Sequence, residues 1–210
     1  MSHTRPSPPE VATPQGGDTA GIDTTERSVC VKAPPRWFAP PSPAELGLLR
    51  LAVGPVLDIG CGPGRHVLAL NRAGVKAVGI DVSPTFVELA RRRGATVISG
   101  SIFDPIPDIG AWGTCLLLDG NIGIGACPEA LLRRAGELVG VEGTVLVEAA
   151  APKTPLRRRE LRVLVGSSLG PSFNWVDVGI DRLNNLAGKA GLILNRTWST
   201  EGRWFAQLAT

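Results

Sequence analysis

Short apolar runs alternate with segments of helical periodicity along most of the chain. The run Val56–Ile59 ends in glycines, which is typical of a strand buried on both faces of a parallel sheet. Six more runs are predicted as strands: Val75–Ile80, Ala95–Ser99, Thr114–Leu118, Gly143–Ala149, Leu192–Thr197 and Trp204–Leu208. Apolar spacing and stop signals predict five helices: Pro43–Leu51, Arg65–Ala73, Pro84–Arg93, Pro128–Val139 and Val176–Ala190.

The alternation of strands and helices predicts the fold class. Strands separated by helices form a parallel sheet with helices on both faces. Residues 198–203, between the last two strands, are too few for a crossover helix, so the last strand should run antiparallel as a hairpin partner. We therefore predict an α/β fold with a doubly wound, seven-stranded, mostly parallel sheet whose last strand is antiparallel.

The N-terminal segment has a different composition. Nine of the 18 prolines lie in the first 43 residues, and Val11 and Ile22 are the large apolar residues before Ser28. Such a segment cannot bury enough surface to offset the entropy lost on ordering. We predict that residues 1–36 are a disordered, Pro-rich tail and that residues 37–210 form the domain.

Three closely spaced glycines follow the first predicted parallel strand. The segment Asp58-Ile59-Gly60-Cys61-Gly62-Pro63-Gly64 leads directly into a helix, at the sheet edge where doubly wound folds bind ligands. Glycines permit unusual backbone angles and a close approach to a ligand. The carboxylate of Asp58 suits a ligand that carries a cationic amine and would repel a pyrophosphate. The spacing G-x-G-x-G also differs from the G-x-G-x-x-G of dinucleotide sites.

A second carboxylate ends the next predicted strand. Asp81 lies 17 positions beyond Gly64, followed by Ser83 and Pro84, which suit the cap and first turn of a helix. A carboxylate there can accept hydrogen bonds from both hydroxyls of a ribose. Each feature alone is also compatible with a tight turn or a helix cap. Together they favour a ligand of the adenosine type.

The string Leu57-Asp58-Ile59-Gly60-Cys61-Gly62-Pro63-Gly64 resembles the first motif of the class I S-adenosylmethionine-dependent methyltransferases, in the manner of actinobacterial-type members that act on small molecules. The resemblance covers about Pro43 to Leu208 and implies that family's seven-stranded fold. It also implies S-adenosylmethionine as the cofactor and no metal. The cofactor-binding residues implied are Asp58, Gly60, Cys61, Gly62, Gly64, Asp81, Val82, Ser101, Ile102 and Asp119.

The resemblance assigns a part of the cofactor to each of these residues. The glycine loop would contact the methionine part, Asp58 its amino group, and Asp81 the ribose hydroxyls. Val82 and Ile102 would pack near the adenine. Many members of the family have an acidic residue where this chain has Ser101, so adenine recognition departs from the family pattern here.

Candidates for catalysis follow the fourth predicted parallel strand and the glycine loop. Asp119 and Asn121 lie in a glycine-rich loop, where the resemblance implies residues near the transferred methyl group; the other interpretation is a polar turn. His66 has the pKa range of a general base. The more ordinary interpretation is a helix-surface or partly buried histidine near the cofactor, and we favour it.

Residues 152–175 interrupt the regular alternation of strands and helices. The resemblance implies that an insertion at this position covers the mouth of the active site. The segment contains Arg157, Arg158, Arg159 and Arg162, which could hold an anionic acceptor. A solvated helix face is the more common explanation of such a run, and we favour it.

Composition narrows the function classes further. The 210 residues are 43% hydrophobic, contain no apolar run near the roughly 20 residues of a membrane span, and begin without the apolar core of a signal peptide. These features predict a cytoplasmic protein that does not insert in a membrane. Four cysteines at irregular spacing do not form a zinc motif. The 18 arginines against four lysines are typical of a GC-rich genome.

We therefore predict a methyltransferase that uses S-adenosylmethionine and a small-molecule acceptor, transferring the methyl group by in-line displacement. The net charge of +3 makes nucleic acid an improbable partner, although an RNA methyltransferase is one alternative. A non-catalytic S-adenosylmethionine-binding or interaction domain is another, and an NAD-dependent oxidoreductase a third. The acceptor and the oligomeric state do not follow from the sequence.

Overall fold

The structure is a computed structural model that describes residues 26–210. Its strands are β1 (Glu26–Lys32), β2 (Val56–Ile59), β3 (Ala77–Asp81), β4 (Val97–Ser99), β5 (Trp112–Leu117), β6 (Val139–Ala149), β7 (Arg158–Val165), β8 (Ser168–Val176), β9 (Ile193–Thr200) and β10 (Arg203–Ala209). Its α-helices are α1 (Pro43–Leu49), α2 (Arg65–Arg72), α3 (Pro84–Arg92), α4 (Pro128–Leu138) and α5 (Leu183–Lys189).

Seven strands form the main sheet, in the order β4-β3-β2-β5-β6-β10-β9. Strands β2 to β6 run parallel to one another, whereas β10 runs antiparallel to both β6 and β9. This order confirms the predicted fold class, including the antiparallel last strand. Because β2 lies between β3 and β5, the carboxyl ends of these three strands meet at one edge.

Alternate side chains of the central strands feed two separate cores. On one face, Leu117 and Val147 pack in a cluster with residues of α4 and α5. On the other face, Leu116 and Leu146 pack with residues of α1, α2 and α3. Burial on both faces explains why these strands are continuous apolar runs rather than alternating ones.

One predicted helix begins later than expected. Val176 ends β8, a short 3-10 turn follows at Ile180–Arg182, and α5 begins only at Leu183. The backbone before that turn pairs instead with the end of β6, since the Ala150 N–H donates to Val178 O at 2.8 Å and the Ile180 N–H donates to Ala150 O at 2.9 Å. This pairing holds residues 178–180 extended. The helix predicted over Val176–Ala190 is therefore wrong in its first half.

The remaining strands form a second sheet in the order β1-β7-β8, which we call the roof sheet. Strand β1 runs parallel to β7, and β7 runs antiparallel to β8. The disordered tail predicted over residues 1–36 therefore differs from the structure at residues 26–36, which hold β1 and a 3-10 turn. Strand pairing uses the backbone and does not need the large apolar side chains whose scarcity suggested disorder. Residues 1–25 lie outside the described part of the chain.

Three of the four arginines of the insertion, Arg158, Arg159 and Arg162, lie on β7 and not on a helix face. Arg159 is paired with Asp177, and the Arg162 Nε donates to the carbonyl of Gly170 on β8 at 3.1 Å. The predicted helix face is wrong because residues 158–176 form a hairpin. Both side chains are used to hold that hairpin together.

Candidate functional site

A cavity of about 270 Å³ lies at the carboxyl edge of the main sheet, under the roof sheet. The segments after β2, β3, β4 and β5 all contribute to its walls, as expected for parallel strands that end at one edge. The predicted site residues that line it are Gly60, Cys61, Gly62, Asp81, Val82, Ser101, Ile102, Asp119 and Asn121. Three others, Asp58, Gly64 and His66, do not line it.

The glycine loop is held in place from behind by β3. The Gly60 N–H donates to Ile80 O, and the Gly62 N–H donates to the Oδ2 of Asp81, each at 2.8 Å. Gly60, Gly62 and Gly64 all have positive φ, between 52° and 79°. A Cβ at Gly62 would meet no atom within 4 Å, so the space beside the loop is open.

Gly64 has a different role from the other two glycines. It is the N-cap of α2, and a Cβ there would lie 2.9 Å from that of Ala95. The third glycine therefore allows close packing behind the loop.

Asp81 is the central acid of the site. Its Oδ1 accepts from the Ser83 N–H at 2.8 Å, while its Oδ2 accepts from Gly62. Burial raises the pKa of the Asp81 carboxyl, and the two backbone N–H groups oppose that rise. Ser83 also caps α3 with Pro84 in its first turn, as predicted. The carboxylate thus connects the loop, β3 and α3.

Asp58 lies beneath the loop and is 1% exposed. Its Oδ2 is 3.5 Å from the Nδ1 of His66 and has no hydrogen-bond partner. The structure therefore puts this carboxylate against a histidine and away from the cavity wall. Asp119, another carboxylate among the predicted cofactor-binding residues, does line the cavity.

His66 is buried between two carboxylates. Its Nε2 lies 3.3 Å from the Oε1 of Glu45, opposite the contact with Asp58. Burial lowers the pKa of His66, but the neighbouring carboxylates of Asp58 and Glu45 outweigh it and raise the pKa to about 9. A protonated imidazole away from the cavity cannot accept a proton from a substrate there. The geometry therefore does not support His66 as a general base.

This raised pKa predicts a pH dependence of stability. The folded-state pKa of His66, about 9, lies above its ordinary 6.5, so its stabilisation is present below pH 6.5 and is lost as the pH rises through 9. We expect the free energy of unfolding to fall by at most about 3.4 kcal/mol over that range. Urea titrations of the wild type and of His66→Gln measure it. An equal pH dependence in both proteins would contradict this assignment.

A network of charges lies beside His66 and reaches the cavity wall at Arg65 and Asp119. The Arg65 Nη1 donates to Glu45 at 2.7 Å, and its Nη2 donates to Asp119 at 2.6 Å. The Arg203 guanidinium binds Glu45 and also Glu148, at 2.6 Å to the Oε2 of the latter. Burial by itself would raise the pKa of the Glu45 carboxyl, but hydrogen bonds from His66, Arg65 and Ser42 hold it well below its usual range.

The sequence patterns do not predict this network. Glu45, His66 and Asp119 bring ligand atoms within 4.8 Å of one another, a spacing that could hold a metal ion. The guanidinium of Arg65 bridges the carboxylates of Glu45 and Asp119, so the arrangement is an ion-pair network. One local signal was available, because Ser42-x-x-Glu45 is a capping box at the start of α1.

Asn121 and Asp119 both have partners that define their roles. The Asn121 Nδ2 donates to Ile59 O at 2.7 Å and to Gly60 O at 3.0 Å, and so holds the glycine loop. Asp119 has a φ of 56°, accepts from Arg65 and donates its N–H to Glu148 at 2.7 Å. We conclude that Asn121 positions the glycine loop and that Arg65 neutralises the charge of Asp119.

The segment after β4 forms an apolar wall of the cavity. Ile102 is buried, and the Ser101 hydroxyl accepts from the Phe103 N–H at 3.2 Å. Val82, on the facing segment, is about half exposed. Cys61 also lines the cavity, but burial and the nearby carboxylates raise the pKa of its thiol far above the ordinary value. The Cys61 thiol therefore has no thiolate character for nucleophilic chemistry.

The roof sheet forms part of the cavity wall. Strand β8 reaches the loop after β5, where Gly125 N–H donates to Asn174 O at 2.9 Å and Ile124 forms a bridge with Trp175. A Cβ at Gly123 would lie 2.9 Å from the Trp175 indole. The glycines of this loop thus permit the close approach of the roof. The contact agrees with the expectation that the insertion covers the site.

In the described part of the chain, no helix has both the length and the hydropathy to cross a bilayer.

Comparison with known proteins supports the predicted family. A family model described as "Methyltransferase domain" matches residues 56–105, which contain the glycine loop and Asp81. The 2-heptyl-1-hydroxyquinolin-4(1H)-one methyltransferase of Mycobacteroides abscessus is 36% identical over 77 residues. That match covers 34% of this chain and 34% of the relative, so it spans about a third of each protein.

Solved structures share the fold over most of the chain. A SAM-dependent methyltransferase from Bacteroides fragilis, in complex with S-adenosyl-L-homocysteine, has a TM-score of 0.69 at 23% identity and covers 82% of this chain and 79% of that one. The 1,6-didemethyltoxoflavin-N1-methyltransferase of Burkholderia thailandensis has a TM-score of 0.58 at 15% identity and covers 80% and 73%. These similarities confirm the predicted fold.

Proposed function

The chain has the fold of the S-adenosylmethionine-dependent methyltransferases, and its residues 56–105 match their domain family; from this premise we propose that it methylates a small-molecule acceptor. One observation carries the proposal. The glycine loop, fastened to Asp81, opens onto a cavity that the roof sheet covers.

The residues on the cavity wall fit S-adenosylmethionine. The open space beside Gly62 would admit the methionine part, and Asp81 would accept from the ribose hydroxyls. Val82, Ser101 and Ile102 would surround the adenine. Asp119, which lines the cavity, would accept a hydrogen bond from the amino group of the cofactor. Asp58 is buried beside His66 and would act indirectly, by holding the glycine loop in position.

The cofactor, when bound, supplies a methyl group activated by a positively charged sulfur. The protein then needs to hold two reactants in line, and such positioning supplies on the order of 7–11 kcal/mol. Asn121 and Asp81 fix the loop that orients one reactant. Ile102 and residues of the roof sheet line the same cavity and would flank the second reactant.

A small-molecule acceptor is favoured by the size of the cavity and by two related proteins. The Burkholderia enzyme was solved with 1,6-didemethyltoxoflavin and S-adenosylhomocysteine, and the mycobacterial relative is named for a quinolone. The net charge of +3 gives no support to an RNA acceptor. A cytoplasmic location stays a prediction.

Transfer of an isotope-labelled methyl group from S-adenosylmethionine to a panel of small acceptors tests the proposal. We expect a labelled product and stoichiometric S-adenosylhomocysteine. Cofactor binding with no transfer to any acceptor would favour the non-catalytic binding domain. The same labelled-transfer assay with short RNAs as acceptors tests the RNA methyltransferase alternative.

A further inference from the structure

The part of the cavity nearest the roof sheet is lined by aromatic rings. Phe173 and Trp175 on β8 pack edge to face, with ring centroids 6.2 Å apart and planes at 75°. Phe103, in the segment after β4, and Trp37, in the turn after β1, also line the cavity. Such rings bind flat aromatic ligands by stacking and edge contacts.

Trp175 is held rigidly in this wall. Its Nε1 donates to the Asp177 Oδ1 at 3.3 Å, and its ring lies against Gly120 and Gly123. Asp177 is in turn paired with Arg159 on β7. An indole with a fixed orientation gives shape selectivity at little entropic cost.

The acidic groups on the cavity wall already have partners. Asp81 accepts from two backbone N–H groups, and Asp119 is paired with Arg65. The neighbouring Asn121 donates to two loop carbonyls. Within residues 26–210, no histidine, lysine or unpaired carboxylate lines the cavity. A proton on the acceptor therefore has no side-chain base to receive it.

Resting on the proposed function, we propose that the acceptor is a flat aromatic molecule whose nucleophilic atom has a free electron pair before it binds. That atom is either an ionised ring hydroxyl or an unprotonated ring nitrogen. Its electron pair forms the bond to the methyl carbon as the carbon–sulfur bond breaks, and the electrons of that bond return to sulfur. A hydroxyl proton has already passed to water.

Binding of matched ligands to protein loaded with S-adenosylhomocysteine tests the aromatic part by calorimetry. We expect saturable binding of phenol, para-nitrophenol or quinoline, and none of cyclohexanol, the saturated counterpart of phenol. The Trp175→Leu variant should weaken aromatic binding by about three- to tenfold, and Trp175→Phe should restore most of it. S-adenosylhomocysteine affinity should stay unchanged in both variants. The control is Trp198→Leu, since Trp198 packs on Phe205 away from the cavity.

The dependence of kcat/KM on pH tests the free electron pair in the wild type, without any variant. We expect the midpoint to follow the pKa of each phenol across the series. For quinoline, it should follow the ring nitrogen. A midpoint common to all acceptors would reveal a base on the protein and overturn the inference. So would equal binding of cyclohexanol and phenol, or no aromatic binding to loaded protein. Failure to bind S-adenosylhomocysteine would instead refute the proposed function itself.

Discussion

Replacing Asp81 with asparagine is expected to weaken S-adenosylhomocysteine binding about a hundredfold or more. The carboxylate would accept two ribose hydroxyls, and hydrogen bonds to a charged group contribute about 1.5–3 kcal/mol each. The amide also presents an N–H₂ donor where the Gly62 N–H now finds an acceptor 2.8 Å away. Both effects act on the same loop. Isothermal titration of the purified variant with S-adenosylhomocysteine measures the loss.

The matched control for Asp81→Asn is Asp108→Asn. Asp108 is exposed, lies away from the cavity and has a positive φ that asparagine tolerates. We expect its affinity to equal that of the wild type. Thermal unfolding of both variants shows whether the fold is kept. If a folded Asp81→Asn protein binds S-adenosylhomocysteine with an affinity within threefold of that of the wild type, Asp81 does not bind the ribose.

Replacing Arg65 with methionine is expected to destabilise the protein by about 3–5 kcal/mol, the typical cost of removing one partner from a buried ion pair. The guanidinium is 4% exposed and is the shared partner of Glu45 and Asp119. Without it, the carboxylate of Glu45 and that of Asp119 on the cavity wall lose their nearest cation. Urea unfolding at neutral pH measures the difference in free energy.

Glu88→Gln provides the control for the buried network. Glu88 pairs with Arg92 one turn away on the exposed face of α3, where such pairs contribute about 0.3–0.5 kcal/mol. We expect a change of that size in the unfolding free energy. Equal effects of Arg65→Met and Glu88→Gln would show that the buried pairs do not stabilise the fold.

The main sheet was predictable because its strands are buried on both faces. Runs such as Val56–Ile59 are recognisable as strands by their apolar content and by the glycines that follow. Strands β7 and β8 gave no such signal, since much of the hairpin is exposed and its polar residues hide the alternation. Strand β1 was missed because its pairing partner, β7, lies far away in the sequence.

The site divides in the same way. The glycine loop and Asp81 are local in sequence, so spacing alone located them on the cavity wall. The Glu45–Arg65 and Arg203–Glu148 pairs join residues 20 and 55 positions apart, and no local pattern specifies which charges will meet. The partnering of Asp58 with His66 depended on which side of the loop each faces. Only the packing of α1 and α2 against the sheet decides that.

Isothermal titration of the wild-type protein with S-adenosylmethionine, S-adenosylhomocysteine and NADH tests the central claim most directly. We predict saturable binding of both sulfur ligands at one site per chain, and no binding of NADH. Binding of NADH alone would contradict the assignment of the glycine loop. It would show that the chain binds a dinucleotide in place of the sulfur ligands.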